Sequence, residues 1–151
     1  GPNQACNQLY ARLAGDGGEA LLTLVREEPT PGKAAAVYVQ AAQFLVMFAT
    51  LQIMMSESKE AFESADAAQG KDMAVAWRLL EEVQPSVDAE IVQAAKMLRV
   101  DVAQRLKDIT KLTVAFQPFA EKLEREQELN EEELVIAFTT APLLGKWGHM
   151  M

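Results

Sequence analysis

Apolar residues recur at steps of three and four along most of the chain, and clusters of Gly and Pro mark where that rhythm stops. Such spacing lines up side chains on one face of an α-helix, whereas a half-buried strand alternates at every second residue. Leu9, Tyr10 and Leu13 follow Cys6 in this way until Gly15-Asp16-Gly17-Gly18 breaks the segment. Asp16 and Glu19 then have capping-box spacing, opening a helix through Ala20, Leu21, Leu22, Leu24 and Val25 that Pro29-Thr30-Pro31-Gly32 ends.

Residues 33–68 contain neither Gly nor Pro and are predicted as one long helix, in which residues 34–55 carry no charged side chain. A run of that length can cross a bilayer. Tyr38, Gln40, Gln43, Thr50, Gln52 and the many alanines hold its hydropathy down. The preferred expectation is therefore a buried central helix with Gln40, Gln43, Met47 and Thr50 as a weak polar stripe. Beyond Ser56 the helix turns charged through Glu57, Lys59, Glu60, Glu63 and Asp66, and Gly70 is expected to interrupt the pattern.

Met73, Ala76, Trp77, Leu80 and Val83 share the face of a following helix that stops before Pro85, with Trp77 as a core anchor. A second long helix is predicted over 86–117, capped by Ser86. Its apolar line runs through Val87, Ile91, Leu98, Val102, Leu106, Ile109, Leu112 and Phe116, and such a seam could also pair with a second copy. Pro118 is expected to kink or end it. Asn130 and Glu133 form another capping-box pair for a last helix over 131–140, ended by Pro142 and Gly145. The expected fold is all-α, a single domain over residues 1–151 built as an antiparallel bundle of five to six helices with two long central helices.

Half of the residues are hydrophobic and 24% are charged, a composition that folds. The net charge of −8 argues against nucleic acid as a partner, because affinity for a phosphate backbone rests on Lys and Arg. The same charge favours a protein partner with a basic surface. Cys6 is the one cysteine, so neither an internal disulfide nor a thiolate metal cage can form. Gly1-Pro2 reads as the remnant of a cleaved tag, and Gln4-Ala5-Cys6 loosely matches the end of a lipoprotein signal. A cytoplasmic location is favoured over a lipid-anchored or periplasmic one through Cys6.

Catalytic chemistry finds little purchase. His149 is the one histidine, close to the C-terminus and without a neighbouring nucleophile or a glutamate three residues before it. Gly15-Asp16-Gly17-Gly18 lacks the Lys-Ser/Thr of a phosphate loop. Met54-Met55 and His149-Met150-Met151 could hold a soft metal, although methionines in helices pack far more often than they ligate. No enzyme activity, cofactor or metal is expected.

The first expectation is a non-enzymatic protein-interaction module: an adaptor, chaperone, inhibitor or immunity-type helical bundle. Glu121, Glu124, Glu126 and Glu128, in the acidic stretch before the last helix, and Trp147 are its candidate partner-binding residues. The alternatives are a membrane-associated or lipid-handling bundle using residues 34–55, and a small-molecule binder with Tyr38, Gln40 and Gln43 around a pocket between helices. A homodimer is compatible with the long seam.

Overall fold

The computed structural model describes residues 1–148, and side chains over 3–145. The chain is all-α: α1 Pro2–Ala14, α2 Glu19–Arg26, α3 Pro31–Met54, α4 Lys59–Glu81, α5 Ala89–Leu106, α6 Ile109–Glu124 and α7 Glu131–Gly148, with no strand among the described residues. It packs as two compact units, Gly1–Ala95 and Lys96–Met151.

Seven helices lie among the described residues where five to six were expected, because the second expected long helix is split into α5 and α6; the first is also broken, but its charged end continues through Gly70 into the next expected helix as α4. The first stops at Met54, where the Ser56 hydroxyl donates to the Ile53 carbonyl at 2.6 Å. Ser58 then caps α4 by accepting the Ala61 N–H at 3.0 Å. A serine that satisfies free helix-end groups competes with helix continuation, so no Gly or Pro is required. The second breaks at Lys107, whose φ of 55° is left-handed, and Asp108 caps α6 by accepting the Lys111 N–H at 3.0 Å. Ser86 is not the cap of α5; the Asp88 carboxylate accepts the Glu90 N–H at 2.8 Å at that helix's start.

Conversely, residues expected to stop helices lie inside them. Gly70 sits within α4, Pro118 within α6 and Pro142 within α7, which runs on past residue 140. A proline costs a helix one N–H bond, here the one that would reach the exposed Val114 region, and tertiary burial of Phe116 and Phe119 on either side outweighs it. Gly18, not Asp16, is the N-cap residue of α2, and the expected box does not form, although Asp16 still bonds the first turn. Its carboxylate accepts the Ala20 N–H at 2.9 Å from across left-handed Gly18, while Glu19 pairs with Arg78.

In the first unit α3 and α4 form an antiparallel hairpin, and α1 and α2 pack against each other and against α3. Its core is Leu22, Val25, Ala35, Tyr38, Val39, Ala42, Leu45 and Ala49 together with Met73, Ala76, Leu79, Leu80 and the expected anchor Trp77. α3 is long and apolar enough to cross a membrane. It is half covered rather than central: Val37, Gln40, Gln43, Met47, Leu51 and Met54 all face solvent. In the second unit α6 packs on α7, and Leu112, Ala115, Phe116, Phe119, Leu129 and Ala137 are buried. The Asn130–Glu133 capping box forms as read from the sequence, with bonds of 2.8 and 3.1 Å, and buried Glu133 also accepts from the Lys122 ammonium at 2.7 Å.

Two glycines give opposite predictions. Gly18 has φ +84° and an added Cβ would lie 2.8 Å from Val75 Cγ1, so Gly18→Ala should cost about 1–3 kcal/mol. Gly70 has open space around it inside an exposed helix face, so Gly70→Ala should gain about 1 kcal/mol. Urea denaturation of the two variants checks both signs.

Candidate functional site

α4 changes character along its length. Its second half carries Met73, Val75, Trp77, Leu79 and Leu80, which fill the space towards neighbouring helices. Its first half presents Ala61, Ser64, Ala65 and Ala68 at helical spacing, side chains too short to fill an ordinary interhelical gap. An open cleft of about 550 Å³ results, floored by these four residues.

One wall is aromatic. Tyr10 of α1 stacks on Phe48 of α3 with ring centroids 4.3 Å apart and planes 13° from parallel. Gln52, Met55 and Ser56, around the end of α3, line the cleft as well. Met55 is 70% exposed and its neighbour Met54 73%, so the rim is apolar and wet. Glu57 and Glu60 stand at the start of α4, with Glu63 and Asp66 following; between residues 57 and 66 the one cation is Lys59.

Asp72 closes the cleft. It is 3% exposed, and its Oδ1 accepts the Tyr10 hydroxyl at 2.6 Å. Burial pushes its carboxyl above the ordinary value of 3.8, opposed by the Tyr10 hydrogen bond. Tyr10 is in turn pushed up to about 12, first by burial and then by the bond to Asp72 and that residue's charge. None of the described Lys or Arg residues forms an ion pair with Asp72.

The residues singled out from the sequence lie elsewhere. Glu121 and Glu124 end α6, and Glu126 and Glu128 occupy the following loop; all four are exposed in the second unit. Trp147 falls on the backbone of α7 with its side chain outside the described residues, where His149, Met150 and Met151 also lie. Gln40 and Gln43 are exposed and so do not join buried Tyr38 around a pocket. Tyr38 instead borders a small cleft of about 160 Å³ beside the Arg26–Glu82 ion pair. Met54 and Met55 are surface residues rather than core packing, because the break at 55–58 turns that end of α3 into solvent. Among the described residues no group of His, Cys, Asp and Glu is placed to hold a metal.

Asp72 was the residue missed by sequence reading. Stepping back four from Leu80 and Ala76 along the apolar face reaches it, so an acid on a core line was the available signal. No protein-family model, characterised protein or solved structure matches the chain.

Asp72→Asn keeps an acceptor for Tyr10 and removes the charge. Because the folded-state value is raised, ionising Asp72 costs stability as pH rises above about 3.8, and that cost is absent at lower pH. In urea titrations the variant should therefore gain on the parent between about pH 3 and about pH 7. An equal difference at both values would contradict the assigned burial.

Proposed function

We propose that the chain is a non-enzymatic protein-interaction module, whose first unit seats a basic amphipathic helix of a partner in the cleft between α1, α3 and α4. The observation that carries this reading is the cleft itself: a floor of Ala61, Ser64, Ala65 and Ala68 that lets a helix approach closely, beside an aromatic wall and an exposed methionine rim. Helix-in-groove recognition uses this combination, with apolar anchors at i, i+3 or i+4 supplying the affinity. Unbranched, polarizable Met side chains adapt to more than one anchor.

Charge selects the partner's sign. Four carboxylates against one ammonium over residues 57–66, in a chain of net charge −8, attract a basic segment and disfavour both nucleic acid and a second copy of the same chain. The exposed carboxylates of Glu121, Glu124, Glu126 and Glu128 extend the same preference to the second unit. Membrane insertion through residues 34–55 would require α3 to give up the packing of Ala35, Tyr38, Val39, Ala42, Leu45 and Ala49, and ranks below helix binding for that reason.

Fluorescence anisotropy with a labelled synthetic amphipathic Leu/Lys helix tests the reading. The Leu/Lys peptide should bind at least about tenfold more tightly than a Leu/Glu counterpart, and Ala65→Trp, which fills the floor, should weaken it by a similar factor. Equal affinity for the two peptides, or an Ala65→Trp variant that is folded by circular dichroism and binds unchanged, would refute it. Charge reversal at Glu124, Glu126 and Glu128 should leave this binding intact; its loss would move the docking surface to the acidic loop.

A further inference from the structure

We infer that the Asp72 end of the cleft is a recognition pocket for one primary ammonium group, supplied by a lysine side chain of the partner helix. The inference rests on the helix-docking reading and adds the identity of its central polar anchor. A carboxylate removed from water is ordinarily paired with a cation, since isolated burial of charge is costly. Asp72 is 3% exposed, and the donor that the structure gives it is one neutral phenol.

The neighbouring groups suit an ammonium on an alkyl chain. The Tyr10 proton is committed to Asp72 Oδ1, which leaves the phenolic oxygen free to accept. An –NH₃⁺ group carries three donors and no acceptor, so the Asp72 carboxylate and the Tyr10 oxygen both present the complementary chemistry. Ala65, Ala68, Phe48 and the Tyr10 ring supply apolar lining in the same cleft. Lysine carries four methylenes below its charge and buries such a stem while delivering a compact cation. A guanidinium pairs best with a carboxylate through both oxygens, and Asp72 Oδ1 already accepts from Tyr10.

The raised carboxyl value of Asp72 agrees with this assignment, because the groups now around it do not supply the counter-charge that would lower it. A bound ammonium would.

The probes are n-butylammonium and n-butanol, titrated separately into the isotope-labelled full chain and followed by amide chemical shifts. Butylammonium should give saturable shifts at Tyr10, Ala68 and Asp72, with a dissociation constant on the order of millimolar for so small a ligand. Butanol should not, and Asp72→Asn should weaken the response at least about tenfold. Ala68→Met, which fills the approach while keeping the carboxylate, should do the same and guards against a loss caused by Asp72 being needed for folding. No saturable shift, an equal response to butanol, or unchanged binding in both variants would overturn the pocket. The Leu/Lys helix provides the separate arm. Helix binding at the cleft without amine binding overturns the pocket and leaves the docking reading standing, whereas amine binding without helix binding supports the pocket and removes the docking reading.

Discussion

The structure of the first unit depends on how α3 packs against α4. Two helices at ordinary separation leave a fixed volume between them, and side chains either fill it or leave a cleft. Tyr38 and Leu45 of α3 and Met73, Trp77 and Leu80 of α4 are all buried. Nearer the turn, α4 offers Ala61, Ser64, Ala65 and Ala68, and the space stays open. The same pair of helices thus provides a packed core at one end and an open cleft at the other.

Asp72 is the one acid among the described residues that line the cleft. A buried acid in a helix interior costs stability unless its surroundings compensate, and one hydrogen bond from Tyr10 is a modest compensation. Tyr10 ties that bond to the stack on Phe48, so the hydrogen bond joins α1 to α4 and the ring stack joins α1 to α3 at one corner of the cleft.

Much of the helical content was legible because apolar spacing dominates the chain, and the Asn130–Glu133 box marked the start of α7 correctly. Helix ends were less legible. Gly70, Pro118 and Pro142 read as breakers yet lie inside helices, whereas Ser58 and Asp108, unremarkable as letters, start new helices by accepting the Ala61 and Lys111 N–H groups. The cleft was hidden for that reason: until the chain is known to turn back at 55–58, nothing places Ala61, Ser64 and Ala65 opposite Phe48 and Gln52. The acidic candidates were visible because charge is read directly from composition, while a buried Asp72 needs the fold to distinguish it from a solvated acid.

The most direct test of the account is methyl resonance spectroscopy of the chain labelled at methionine, with the Leu/Lys helix added. Met55 at the rim should shift and show contacts to the peptide's leucines, while Met73, fully buried in the core, should not. A shift absent from Met55 while the peptide is bound would place the docking surface elsewhere and contradict the proposed cleft.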